Sequence, residues 1–266
     1  MTEDEKFRFD NDGLIVIEDV MSLADCEVAK QKIDSSKQVS AKNPDGVPTG
    51  GLMQMKFNVF ELGHPFICLI DNSRVCSVLK TVIAPKLRIE HAYSFVYECG
   101  APPLELHAGD PKDWAAYHYV VQNGQIHAGL CVVSFVLQDI AEEDGGFVFV
   151  PGSHKRNFYH GQLDFRKVLS LDSAQVRAVA APAGSAIIFT ETLIHGARRW
   201  NRPDARYGLF FKYNDRSCRH IHSRNMLCDD ATLRGMSPEQ RCFFNPVYAS
   251  GGPNGNEHNF FAADEY

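Results

Sequence analysis

Two histidines and an arginine carry the chemistry that this sequence could do. His107 closes an alternating stretch in "PPLELHAGDP" (102–111), and His195 follows the apolar run "SAIIFTETLI" (185–194). Histidines far apart in sequence can meet on one metal ion when they sit on adjacent strands of a closed sheet. Arg206 comes eleven residues after His195 and offers a planar fork that binds a carboxylate bidentately. A third ligand is the open question. In a strand, residues i and i+2 share a face, so a carboxylate partner of His107 would stand at position 109, which is Gly109. Asp110, at i+3, should face away, and Pro102, Pro103 and Pro111 exclude the helix that would reverse this. A bulge at Gly109 would still swing Asp110 inward. Gly109 carries neither a charge nor a Cβ, which leaves room for an exogenous anion.

These side chains must be held by strands, and the chain supplies them. "GLIVIEDV" (13–20) predicts a strand, and Ser22 caps a helix over "SLADCEVAKQKIDSS". Residues 37–51 are rich in Pro, Gly and Asn and predict a loop; the longer stretch 37–57 could close over a site as a lid. "HPFICLIDNSRVCSVLKTVIAP" predicts a helical segment ending before Pro85. From about residue 86 the period changes to six or more β-rich runs separated by turn residues. Helices followed by strands predict an α+β chain with a β-sandwich or jelly-roll body. Near the end, Ser237, Pro238 and Gln240 form a helix-start signal, and the tail from 249 reads as loose. The expected organisation is one domain over 1–266: a helical part about 1–85, a core about 86–215 and an extension about 216–266.

Bulk properties bound the partners. A net charge of −6 with a pI near 6.0 argues against a general binder of nucleic-acid polymers or membrane surfaces. The polar, acidic start reads as neither a signal nor a transit peptide, and the eight cysteines are scattered singly, as reduced thiols would be. A cytoplasmic setting and a small-molecule substrate are expected, and the oligomeric state is left open.

Three segments, "LHAG" (106–109), "DGGFVFVPGSHK" (144–155) and "AGSAIIFTETLIHGARRWNRPDARYGLFFKY" (183–213), together resemble the phytanoyl-CoA dioxygenase family of iron(II)/2-oxoglutarate enzymes. The resemblance runs from about Phe7 to about Tyr213. It implies a double-stranded β-helix (cupin-like jelly-roll) core, iron(II) on His107 and His195, 2-oxoglutarate anchored by Arg206, and oxygen as cosubstrate. It also implies a structural turn at His154, and Asp144-Gly145-Gly146 reads as a turn because two glycines allow positive φ. The family pattern is His-x-Asp, whereas this chain reads His107-Ala108-Gly109. Among 2-oxoglutarate enzymes, His-x-Gly resembles the halogenases, in which chloride binds iron where the carboxylate would be; Gly109 would then mark a chloride site.

Three functions follow, in this order. The first is a halogenase chlorinating an unactivated C–H bond of a small, anionic or nucleotide-like metabolite. The second is a hydroxylase whose iron shell is completed by Asp110 or water, and the third is a jelly-roll binding module without catalysis. For the substrate, Lys155, Arg156, Arg198, Arg199 and Arg202 would line the mouth and favour an anion, or form a solvated basic face. Trp114, Tyr117, Tyr119 and Trp200 would offer flat surfaces or pack in the core. His91, His118, His127 and His160 read as packed or turn histidines.

Overall fold

Strands that are apolar on both faces must be covered on both sides, and that requirement builds this molecule. The computed structural model describes residues 1–41, 50–110, 116–156, 165–218 and 229–244. In chain order, α1 (Glu3–Asp12), β1 (Leu14–Ile17), α2 (Leu23–Ser35), β2 (Val39–Ser40), β3 (Met53–Phe57) and α3 (Ser73–Val82) lead into the core. The core comprises β4 (Leu87–Tyr97), β5 (Leu104–His107), β6 (Val120–Gln122), β7 (Gln125–His127), β8 (Cys131–Val136), β9 (Gly146–Phe149), β10 (Arg177–Ala178), β11 (Ala186–Thr190), β12 (His195–Arg198) and β13 (Arg206–Asp215). Two short helices follow, α4 (Asp230–Arg234) and α5 (Pro238–Arg241).

A seven-stranded sheet in the order β1-β11-β8-β13-β4-β3-β2 faces a four-stranded sheet, β10-β9-β12-β5, and every pairing is antiparallel. This is the jelly roll that the sequence led us to expect. Alternation explains the layering. Cys131, Val133 and Phe135 of β8, with Leu209, Phe211 and Tyr213 of β13, turn outward to pack under α2 and α3. Val132 and Val136, with Ile187 and Phe189 of β11, turn inward against Phe147 and Phe149 of the small sheet. The large sheet is therefore sealed by helices on one side and by the small sheet on the other.

The helical region differs from expectation in two places. The acidic start forms α1: Thr2 and Glu5 make a reciprocal capping box, and Gly13 ends the helix in the left-handed conformation. The segment 64–85 divides into a short 3-10 turn, Ile67–Leu69, and α3, because the Asn72 side chain accepts from the amides of Arg74 and Val75 and starts a new helix. Ser22 caps α2 and Ser237 caps α5 as the sequence indicates. Two parts of the expected lid pair at the edge of the large sheet as β2 and β3; 42–49 and the tail from 249 lie outside the described residues. All seven described cysteines are free, and no described helix is long and apolar enough to cross a membrane.

Candidate active site

The strand β12 lies between β9 and β5, and its pairing with β5 sets His195 directly opposite His107. Gly196 permits this approach, since a Cβ there would stand 2.6 Å from the Leu104 carbonyl oxygen. The two imidazole rings are 4.2 Å apart, centroid to centroid, and tilted by 52°. In each ring Nδ1 meets the carbonyl oxygen two residues earlier, Glu105 for His107 at 2.9 Å and Leu193 for His195 at 2.8 Å. A carbonyl only accepts, so Nδ1 carries the proton and Nε2 keeps its lone pair. Burial, then the neighbouring His107, pushes the His195 pKa down to about 3, and burial lowers that of His107. Both rings are therefore neutral near pH 7. Phe147 and Phe189 flank His195, with ring centroids at 5.7 and 4.7 Å.

The opposite wall of the cavity comes from β13. Alternation along this strand sends Arg206, Phe210 and Lys212 to one face, where all three line the same cavity as His107 and His195. Arg206 is buried, its guanidinium carbon lies 5.1 Å from the Tyr97 ring centre, and its Nε has no hydrogen-bond partner. Gly146, at φ +91°, lies beside it, and a Cβ there would stand in ordinary contact, 3.5 Å from the guanidinium carbon. Tyr93, Phe95 and Phe210 complete an aromatic wall.

Two charged residues in this cavity were not anticipated from the sequence. Lys212 Nζ donates to both carboxylate oxygens of Glu191, at 3.0 Å each. Burial opposes the charge on Glu191, but Lys212 above all, with the two rings once protonated in acid, holds its carboxyl down to about 2. Burial likewise opposes the charge on Lys212, and Glu191 outweighs it, raising the ammonium above its usual range. The signal for Lys212 was present, since 206, 208, 210 and 212 share a strand face.

Gly109 lies just past His107; its amide donates to the Glu191 carbonyl at 2.7 Å and its own carbonyl accepts from Arg156. The room expected beside it is taken up, because a Cβ at 109 would lie 2.7–3.0 Å from the Tyr117 ring. Asp110 is half-buried and is not among the residues lining the cavity. Among the described residues, no three His, Cys, Asp or Glu side chains converge as a metal-binding group.

The basic residues that the sequence left as a mouth or a solvated face make contacts of their own. Arg198 donates to the Leu171 carbonyl, Arg199 to that of Gly100, and Arg202 to Asp204. Lys155 pairs with Asp10, and the Arg156 guanidinium lies over Phe165. None of the five lines the cavity. Trp200 is a core residue whose indole N–H donates to the Asp204 carbonyl, Tyr119 donates to Asp10, and Trp114 and His160 lie outside the described residues. His154 is fully buried at its turn, its Nε2 donating to the Asp10 carbonyl. His91 packs against Phe57 and Tyr93.

Comparison with known proteins gives this arrangement its place. The family model of phytanoyl-CoA dioxygenase matches residues 9–206, most of the chain, including β5 with His107 and β12 with His195 and ending at Arg206. The chain belongs to the phytanoyl-CoA dioxygenase family. As a family member it is an enzyme of the iron(II)/2-oxoglutarate oxygenase type. It is similar to the ectoine dioxygenase of Stutzerimonas stutzeri (strain A1501), 22% identical over 230 residues, covering 78% of this chain and 74% of the relative. Among solved structures it shares its fold with HygX from Streptomyces hygroscopicus bound to nickel, 2-oxoglutarate and hygromycin B. That match has a TM-score of 0.71 at 22% identity and covers 89% of this chain and 96% of HygX. It also shares its fold with the epimerase SnoN in complex with Fe3+, alpha ketoglutarate and nogalamycin RO, with a TM-score of 0.63 at 15% identity, covering 86% and 89% of the two chains.

Proposed function

We propose that this protein is a hydroxylase of small organic molecules that holds iron(II) through His107 and His195 and 2-oxoglutarate through Arg206. One observation carries the reading: two neutral imidazoles with Nε2 lone pairs available share a buried cavity with a guanidinium whose Nε is unpartnered. That donor set fits the groups implied by the family, since imidazole suits iron(II) and a planar guanidinium suits a dicarboxylate. Iron, when bound, supplies oxygen activation coupled to decarboxylation of 2-oxoglutarate. The balance is R–H, oxygen and 2-oxoglutarate giving R–OH, succinate and carbon dioxide, with one oxygen atom entering the alcohol and one the succinate. Arg206 orients the cosubstrate, Phe147 and Phe189 exclude water around His195, and Tyr93, Phe95 and Phe210 give the substrate an aromatic wall. The small-molecule class is supported by the relatives, whose names and bound compounds are ectoine, hygromycin B and nogalamycin RO. An anionic or nucleotide-like substrate is less favoured, because none of the five cations that suggested it lines the cavity, although Arg156 donates to the Gly109 carbonyl beside His107.

The second reading is a halogenase with chloride beside Gly109. It is favoured by the glycine itself and by the absence of a convergent third metal-binding side chain among the described residues. Hydroxylation ranks first because the Tyr117 ring fills the space toward which a residue at 109 would project. Reconstituted enzyme should be given small-molecule mixtures with chloride, with bromide and without halide, and succinate and product masses followed. Hydroxylated product at a rate independent of halide supports our reading. A carbon–halogen product that needs chloride or bromide sinks it in favour of the second.

A further inference from the structure

The family's carboxylate position is a glycine here, yet a carboxylate lies in the same cavity. Glu191 follows β11, whose Ile187 and Phe189 face between the sheets, so alternation carries position 191 to the same side. Its neighbour on that side, Phe189, lies 4.7 Å from the His195 ring. The Gly109 amide bonds the Glu191 carbonyl at 2.7 Å, joining the backbone of the position that lacks a carboxylate to a residue that carries one. The side chain is buried, and Lys212 takes one acceptor place on each oxygen, whereas a carboxylate has about four. Two neutral imidazoles alone leave a divalent ion with no counter-charge from the protein in a buried cavity, which is costly.

We propose that Glu191 is the third protein ligand of the metal, in place of the residue at 109. The inference rests on the reading of His107 and His195 as metal ligands. Glu191 leans on Lys212 in the structure, so metal binding must draw the carboxylate round from the ammonium toward the histidines. Lys212 therefore competes with the metal, a consequence that a purely structural ion pair would not have.

The test is anaerobic titration of purified apo-protein with cobalt(II) alone, read by calorimetry and by the visible spectrum of the bound ion, with thermal unfolding in parallel. The parent should bind one ion per chain. Glu191→Gln should weaken binding at least tenfold and alter the spectrum, Asp110→Asn should match the parent, and Lys212→Met should bind at least as tightly as the parent. Metal should also raise the unfolding temperature of Lys212→Met more than that of the parent, since it meets a carboxylate otherwise buried alone. That readout holds even if Glu191→Gln does not fold. Glu191→Gln binding within threefold of the parent with an unchanged spectrum overturns the proposal, as does a Lys212→Met protein weakened and not stabilised by metal. Should His195→Ala also bind cobalt like the parent, the histidine site itself falls; loss in His195→Ala with parent-like Glu191→Gln removes Glu191 alone.

Discussion

At the scale of single residues, Arg206 is a buried cation whose Nε lacks a partner, which an unliganded protein tolerates only at a cost. A dicarboxylate relieves that cost. Arg206→Ala should therefore weaken 2-oxoglutarate binding by roughly 2–5 kcal/mol, about thirtyfold or more, and lysine should restore only part because it lacks the fork. Calorimetric titration checks this, and an unchanged affinity in the alanine variant removes Arg206 from the role. Gly109 gives the opposite kind of prediction. An aspartate there starts its side chain inside the Tyr117 ring, so Gly109→Asp should destabilise the fold by about 1–3 kcal/mol through overpacking. Denaturant unfolding reads the loss; a variant as stable as the parent with tighter metal binding would mean that Tyr117 yields and the space at 109 is usable. His107, His195 and Arg206 were legible as candidates because each has a recognisable place relative to a strand or to the next motif. Glu191 was not, because a glutamate after an apolar strand looks the same whether it meets solvent or a buried lysine. The Tyr117 ring was equally hidden, since its contact with Gly109 depends on how two loops pack.

At the scale of elements, α1 shows how caps outrank hydrophobicity in making a helix. Its only buried residue is Phe9, and it is defined by the Thr2–Glu5 box and the turn at Gly13. Both signals were in the sequence but were read as an acidic terminus. The β6–β7 hairpin likewise turns on Asn123-Gly124, both at positive φ, as an Asn-Gly pair favours. Helix α1 is tied to the turn after β9 by Lys155 on Asp10 and by His154 on the Asp10 carbonyl. Burial, then Lys155, pushes His154 down to about 4, and its Nδ1 has no partner to receive a proton's charge. The unfolded chain takes that proton near pH 6.5, so between 6.5 and 4 it binds more protons than the folded chain. The stability from neutral His154 is therefore complete above 6.5 and drains away as the pH falls toward 4, by up to roughly 3 kcal/mol. Unfolding midpoints at pH 7.5 and 4.5 should fall more for the parent than for His154→Gln. Equal falls would show that His154 does not set the acid response.

At the scale of the whole molecule, the two-sheet sandwich could be anticipated because apolar alternation on many short strands admits few other solutions. What each cation does could not be. Arg198, Arg199, Arg202, Lys155 and Arg156 cluster in sequence beside the two motifs, but the fold spends them on carbonyls, carboxylates and a ring, Arg156 on the Gly109 carbonyl among them, and none lines the cavity. Sequence proximity to a motif is proximity along a strand, and a strand has two faces and two ends. The cavity that results is aromatic on one wall, doubly imidazole on another, and holds Arg206, whose Nε has no hydrogen-bond partner. The measurement that bears most directly on this account is anaerobic titration of iron(II) with 2-oxoglutarate into the parent, His107→Ala and His195→Ala proteins, followed by exposure to oxygen and assay of succinate. The account predicts one iron and one 2-oxoglutarate per chain in the parent, with succinate formed, and loss of iron binding and succinate in both variants. A His195→Ala protein that binds iron and forms succinate as the parent does would contradict it.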